Sequence, residues 1–521
     1  MLAITVLPAG GAAQGSGEAR GDSARGPLRK PTMYEDMQMF SQVLNQIRVN
    51  HPDSVDVHEL LMAAVEGMVH AADPHSYVIR AARLSPDREK AMRDGKLYPV
   101  PIDFDYVDGA PLVASVAAGS SAARLDILPG DELIAIDGRP VMAESASELA
   151  LTLAGEKGST TTLTLERRRL DGSLARVQRT VKREKVEEET AVPAAFMLDD
   201  HTGYVRVTTF VNDRVADDLH DALGALEGKG MTHLVLDLRD NGGGSVAEAA
   251  RVAGEFLPKG AIVYTAEGRK KAVTDTGRVK RSFWKSEKRY PITVLVNEGT
   301  ASASEMVAGA LQDHDRATIV GRPTFGKSLL MEGFPLADGS VIMLVVGHVR
   351  TPCGRIIQRQ YRSISRRDYY RLAGAARDTA GRPSCRTDAG RTVYGGGGIY
   401  PDVVLPKPAP APHWLARALE DDLPAKWLPG WVSASGGALT TVEALAASPA
   451  LPAAALADFR RFAASQGDTI PADSAAEQRL QRTLVLAAAW VKWGAGGYYH
   501  LRAVMDAEVR DAMRSESSPA H

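Results

Sequence analysis

Residues 299 to 331 read GTASASEMVAGALQDHDRATIVGRPTFGKSLLM and hold the chain's densest group of side chains suited to chemistry. Three hydroxyls, Thr300, Ser302 and Ser304, crowd what reads as a helix start, and Lys327 follows in a glycine-containing turn. Two chemistries compete for that lysine. The run Gly321-Arg-Pro-Thr-Phe-Gly326-Lys327-Ser328 satisfies the G-x-x-x-x-G-K-[ST] pattern, which would make Lys327 a phosphate ligand. A phosphate loop needs a strand before it and a long helix beginning at the Lys-Ser, because the helix N-terminus and the loop amides cradle the anion. The run ATIV supplies the strand, but Gly333, Pro335 and the Asp338-Gly339 turn break any helix after Ser328 and predict a hairpin.

The other chemistry is nucleophilic. Ser302 to Glu305, SASE, has the S-x-x-E spacing of a capping box before the apolar MVAGAL. Free amides and the positive dipole end at a helix start also suit a developing oxyanion, so a plain cap and a nucleophile share one geometry. A serine hydroxyl needs a base. The chain has no G-x-S-x-G elbow, and none of its 12 histidines stands in a recognisable Ser-His-Asp spacing. A lysine can replace histidine if it is neutral, which needs its pKa depressed by about 3, roughly 4 kcal/mol against the charged form. Burial must supply that, and Phe325, Leu329, Leu330 and Met331 give Lys327 apolar neighbours, as they would a buried structural lysine.

The elements that must position these groups follow from periodicity. Residues 1–30 are rich in Gly, Ala, Ser and Arg without periodicity and read as a disordered leader that lacks the basic start of a good export signal. From Tyr34, apolar residues recur at three and four positions, predicting a helical segment over 31–95. Residues 96–190 read as a small β module with alternating strands such as DELIAIDG and TTTLTLERRR. Over 191–405 strand and helix alternate, GYVRVTTF and HLVLDLRDN among them, which predicts an α/β core. The proline-rich LPKPAPAPHW leads into an Ala-rich helical domain over 406–521.

Composition removes whole classes of function. A chain of 521 residues with 44% hydrophobic and 24% charged residues is a multidomain globular protein, and a net charge of −2 gives no global pull towards nucleic acid or anionic lipid. The longest apolar run, Leu484 to Val491, is far short of the roughly 18 to 20 residues of a membrane span. Two cysteines, Cys353 and Cys385, rule out a cysteine-rich zinc module.

VNEGTASASEMVAGALQDHDRATIVGRPTFGK resembles, almost throughout, the active-site segment of the C-terminal-processing, or tail-specific, serine peptidases. LVLDLRDNGGG, DPHSY, SSAARLDILPGDELIAIDG, TPCGR and GGGGIYPDVVL resemble further landmarks of that family. The resemblance implies an α/β peptidase core, a PDZ domain over 96–190 and helical N- and C-terminal segments. It implies that Ser302 is the nucleophile and Lys327 its general base, with the amides of Ala303 and of Gly243 or Gly244 forming the oxyanion hole. Asp313 matches an aspartate assigned a charge-relay role in some members, although a surface or salt-bridge role fits its sequence setting equally well. The implied activity is endopeptidase cleavage of proteins near their C-termini through an acyl-enzyme, with no metal or cofactor. Its partners would be protein or peptide substrates such as unfolded C-termini, with an adaptor protein allowed, in the periplasm or cell envelope. The competing reading is a PDZ-containing binding or scaffold protein on an inactivated core.

Three departures bear on that choice. Met331 stands where the family commonly has a glutamine that orients the amine. Pro99 and Pro101 interrupt the loop whose amides would grip a chain-terminal carboxylate, since proline has no N–H. Residues 356 to 394 form an insertion rich in Arg and Tyr, and Cys353 and Cys385 bracket much of it, which suggests a disulfide pinning the loop.

Overall fold

The structure is a computed structural model that describes residues 31–80, 90–91, 94–107, 110–117, 120–122, 125, 127–143, 146–168, 173–186, 190–269, 273–280, 287–361, 368–369, 380–435 and 439–514. The leader over 1–30 lies outside the described residues, as does much of the insertion. The chain divides into two compact units, residues 1–68 and 69–521. In the first, helix α1 (Met33–Asn50) opens on Thr32, whose hydroxyl accepts the Glu35 N–H while Glu35 returns to the Thr32 N–H at 2.7 Å. Helix α2 (Val57–Ala72) follows and crosses the boundary between the units.

Short strand β1 (Tyr77–Ile79) precedes the β module. That module contains β2 (Ile102–Val107), β3 (Ala110–Val116), β4 (Glu132–Ile136), β5 (Arg139–Pro140), helix α3 (Ala146–Leu153), β6 (Thr160–Arg168) and β7 (Leu174–Lys182). Its sheet runs β2-β3-β4-β6-β7 with β5 on β4, and every pair is antiparallel. Leu133, Leu163, Leu165 and Leu149 from the sheet and α3 close its own core. Asp131 and Arg167 form a buried two-bond pair at 2.7 Å inside the module.

The central layer is a six-stranded sheet of β8 (Ala194–Met197), β9 (Thr202–Arg206), β10 (His233–Asp237), β13 (Ile292–Val296), β14 (Thr318–Gly321) and β19 (Val403–Val404), ordered β19-β14-β13-β10-β9-β8. All its pairs are parallel except β8 with β9. Strands β9, β10 and β13 are buried throughout, as expected where both faces are covered. Helices α4 (Val215–Glu227), α5 (Val246–Ala253) and α6 (Ala303–Asp313) cover one face with Leu219, Leu223, Val252 and Leu311. On the other face Tyr204, Val235, Leu295 and Val320 meet Ala503, Val509 and Ala512. Those residues come from α11 (Ser474–Val504) and α12 (Ala507–Arg514), so the end of the chain forms part of the core layer.

A second, antiparallel sheet, β1-β16-β11-β12 with β15 on β16, contains β11 (Ile262–Gly268), β12 (Val273–Arg278), β15 (Leu329–Pro335) and β16 (Val341–Arg350). The described part of the insertion forms a hairpin of β17 (Ser384–Arg386) and β18 (Thr392–Tyr394). Cys353 and Cys385 form a disulfide with Cα atoms 5.9 Å apart. Helices α7 (His413–Glu420), α8 (Leu423–Ser435), α9 (Val442–Ala447) and α10 (Ala453–Ser465) pack with α11 around Trp427, Phe459 and Leu484. Trp490 of α11 donates its indole N–H to Ala114 O at 3.1 Å, fastening the β module to this helical region.

Candidate active site

In a parallel sheet the loops at the carboxyl ends of neighbouring strands converge on one place. Three such loops carry the candidate residues: 238–245 after β10, 297–302 after β13 and 322–328 after β14. Ser328 runs straight into strand β15, so Lys327 heads no helix that could cradle a phosphate. The hairpin predicted after Ser328 is present, and the phosphate-loop reading is set aside on that ground.

Side chains sew the first two loops together. Thr300 Oγ1 donates to Leu238 O at 2.9 Å and Ser304 Oγ donates to Asn241 O at 3.0 Å. The Ala301 N–H reaches Asn241 O at 2.9 Å, and Asn297 Nδ2 donates to Asp240 Oδ1 at 2.7 Å. Two of the three hydroxyls are thus committed to holding the loops. Ser302 Oγ donates to no acceptor among the described residues. Ser302 also occupies φ 56° and ψ −117°, a conformation that non-glycine residues hold only under surrounding constraint and that recurs at functional sites.

Glu305 supplies much of that constraint. The S-x-x-E spacing places its carboxylate against the Ser302 N–H, which it accepts at 2.9 Å through Oε2. The same Oε2 accepts the Lys327 N–H at 2.8 Å, while Oε1 accepts the Gly326 N–H at 2.7 Å and the Thr324 hydroxyl. One buried carboxylate therefore ties the backbones of residues 302 and 327 to a single oxygen. Burial raises its pKa above the ordinary glutamate value, against the lowering effect of those four donors. In sequence Glu305 was legible only as a helix cap.

Lys327 is half-buried, with Leu329 buried beside it. Burial lowers the pKa of its ammonium from 10.5, opposed by the fields of Glu305 and Asp73. Asp73, in the DPHSY landmark, is held by the N–H groups of His75 and Ser76 at 2.8 and 2.7 Å. Among the described residues no hydrogen bond joins Lys327 Nζ to Ser302 Oγ.

Gly243 has φ +97°, and a Cβ there would stand 2.8 Å from Ala303 N and 2.8 Å from Ser302 Cβ. Only glycine lets that backbone come so close. The Gly243 N–H itself donates to Asn241 Oδ1 at 2.9 Å, whereas the N–H groups of Ala303 and Gly244 have no partner among the described residues. Asp313 lies at the far end of α6, a helix of 11 residues. Its carboxylate pairs with the Arg355 guanidinium at 2.7 Å and accepts the Cys353 N–H at 3.1 Å. The structure brings Ser302, Ala303, Gly243 and the backbone of Lys327 together; it does not bring Asp313 to them, because the helix holds it about 15 Å away along its axis.

The bases of the three loops are clamped from the chain's end. Arg239 pairs with Asp237 at 2.6 Å and with Asp506 and Glu508 at 2.8 and 2.7 Å, and Arg322 pairs with Glu298 at 2.8 Å and with Glu508. Burial alone would raise the Asp237 carboxyl, but Arg239 and Arg206 hold it well below the usual carboxylate range.

Comparison with known proteins identifies the family. Residues 201–364 match the family model described as Peptidase family S41, and residues 112–167 match a PDZ domain. A carboxy-terminal-processing protease of Bartonella bacilliformis is 32% identical over 333 residues, which cover 62% of this chain and 73% of that protein. Carboxyl-terminal-processing peptidase 2, chloroplastic, of Arabidopsis thaliana is 35% identical over 285 residues, covering 52% of this chain and 53% of that protein, about half its length. A solved photosystem II D1 C-terminal processing protease aligns at 25% identity over 65% of this chain and 92% of its own, with a TM-score of 0.34. The chain belongs to peptidase family S41, the carboxy-terminal-processing serine peptidases, and joins that core to a PDZ domain.

Proposed function

We propose that the protein is an endopeptidase that cuts proteins near their C-termini through an acyl-enzyme on a Ser302–Lys327 dyad. Neutral Lys327 takes the Ser302 proton as Oγ attacks the scissile carbonyl, and returns it to the leaving amine. The amides of Ala303 and Gly244 hold the oxyanion, since the Gly243 N–H is already spent on Asn241. The observation that carries this reading is the shared Glu305 Oε2, which fixes the backbones of nucleophile and base against each other. Asp313 has a positioning role at most, through the TPCGR turn.

The lack of a hydrogen bond between Ser302 Oγ and Lys327 Nζ among the described residues, with Met331 in place of an orienting glutamine, supports a site that substrate must complete. A disulfide at Cys353–Cys385 supports an oxidising compartment, in keeping with the periplasm or cell envelope. Incubating an unfolded protein with wild type, Ser302→Ala and Lys327→Ala, with and without ATP, tests the reading. Cleavage by the wild type alone, independent of ATP and reduced at least about a thousandfold in both variants, is expected. Undiminished cleavage by Ser302→Ala would overturn it, and binding without cleavage by the wild type would favour the scaffold alternative.

A further inference from the structure

Beside the lysine loop lies a buried cation that pairs with no carboxylate among the described residues. Arg359 is 9% exposed, and its buried Nε, Nη1 and Nη2 meet no carboxylate among the described residues, with Tyr369 its one polar neighbour there. Its backbone N–H donates to Gly326 O at 2.9 Å, which sets it one residue from Lys327 across the pairing. The guanidinium lies against the rings of Phe325 and Tyr369, 4.6 and 4.2 Å from their centroids. Tyr369 is held in turn, its hydroxyl 3.0 Å from His75 Nε2 and 3.1 Å from Gln358 Nε2.

A buried guanidinium without an anion is among the costliest groups a fold retains, and aromatic faces offset only part of that cost. Its planar fork matches a carboxylate with two parallel hydrogen bonds. Two independent features point to an anion arriving here. Residues 355–391 hold ten arginines and three aspartates with no lysine or glutamate; Asp313, Asp315 and Asp402 answer Arg355 and Arg391, and the stretch stays net positive in a chain whose net charge is −2. The loop entering the PDZ domain, where a terminal carboxylate would ordinarily be gripped, is short of donors: Pro99 and Pro101 have none, and the Tyr98 N–H is spent on Gly155 O at 2.8 Å.

We propose that Arg359 is a carboxylate-binding residue of the substrate site, pairing its guanidinium with a carboxylate of the polypeptide being cut. The inference rests on the Ser302–Lys327 reading for its location. The carboxylate comes either from the substrate's chain terminus or from an acidic side chain near the cut.

Full-length protein carrying Ser302→Ala reads binding without turnover. Its probes are one dodecapeptide, neutral apart from its free C-terminus and labelled with an uncharged boron-dipyrromethene dye, the same peptide amidated, and the amidated peptide with one internal glutamate. Fluorescence anisotropy should show at least one carboxylate form bound about tenfold more tightly than the neutral amide. Preference for the free terminus or for the glutamate identifies the source. The advantage should vanish when Arg359→Met is added and return in part with Arg359→Lys. Equal binding of all three peptides, or an advantage that survives Arg359→Met, would overturn the proposal. Melting curves verify folding, and Arg359→Gln replaces the Met variant if that one unfolds. Phosphonate labelling of protein retaining Ser302 reads the dyad separately: absence of labelling in wild type would count against the dyad, whatever the peptides show.

Discussion

Helix α6 ends in a buried carboxylate at each extremity, and the two are neutralised in opposite ways. At its start, Glu305 accepts three backbone N–H groups and one hydroxyl and pairs with no cation among the described residues. At its finish, Asp313 meets the buried Arg355 guanidinium at 2.7 Å, and the turn it holds leads into the disulfide at Cys353. The first arrangement fixes where two backbone segments lie and spends neither the Ser302 hydroxyl proton nor the Lys327 amine on Glu305. The second anchors an insertion. A buried acid in a conserved-looking motif is therefore no guide to its role until its donors are known.

Substitutions at the two ends should separate these roles. Glu305→Gln keeps the shape but turns an acceptor into a donor facing N–H groups, so kcat/KM on an unfolded protein should fall by about a hundredfold through misplacement of the dyad. Retained kcat/KM would mean that Glu305 is only a cap. Asp313→Asn leaves Arg355 buried without its counter-charge, with Gln312 Oε1 and Tyr394 O its remaining acceptors, and urea denaturation should register about 3 kcal/mol of lost stability. The kcat of the protein that remains folded should stay within about threefold of wild type, whereas a charge-relay role would cost several orders of magnitude. Reducing the Cys353–Cys385 disulfide, which closes a separation of 32 residues, should cost about 3 kcal/mol in the same assay and leave the Ser302 site able to react. The smallest effect belongs to Met331→Gln, which should raise peptide cleavage a few-fold by aiming the amine. Unchanged or lower cleavage would show that Met331 does not limit the site.

The sequence revealed the site through residues whose identity is tied to backbone geometry. The alternation of β10, α5, β13 and α6, the S-x-x-E start and the glycines after β10 all report local constraints, whereas the pairing of Ser302 with Lys327 rests on the resemblance to the family's active-site segment. What stayed hidden depends on contacts distant in the chain. Glu305 reads as a helix cap because its other donors lie 19 to 22 residues further on. The helical tail reads as a separate domain because amphipathic periodicity cannot say that Ala503, Val509 and Ala512 face the central sheet, or that Asp506 and Glu508 meet Arg239 and Arg322. Asp313 enters as a charge-relay candidate only through its match to a family aspartate, and the 11 positions that separate it from Ser302 become the length of a helix.

The claim on which the mechanism depends is that a half-buried, uncharged Lys327 takes the proton of Ser302. The rate at which a phosphonate probe modifies Ser302, followed by mass spectrometry across pH, measures that step alone. Burial lowers the lysine pKa, so the neutral base is present above that lowered value and lost as pH falls through it. The account predicts a single adduct on Ser302 whose rate climbs to a plateau with a midpoint below 10.5, and a loss of at least about a hundredfold in Lys327→Ala. An adduct on another residue, or a pH profile that Lys327→Ala leaves unchanged, would contradict it.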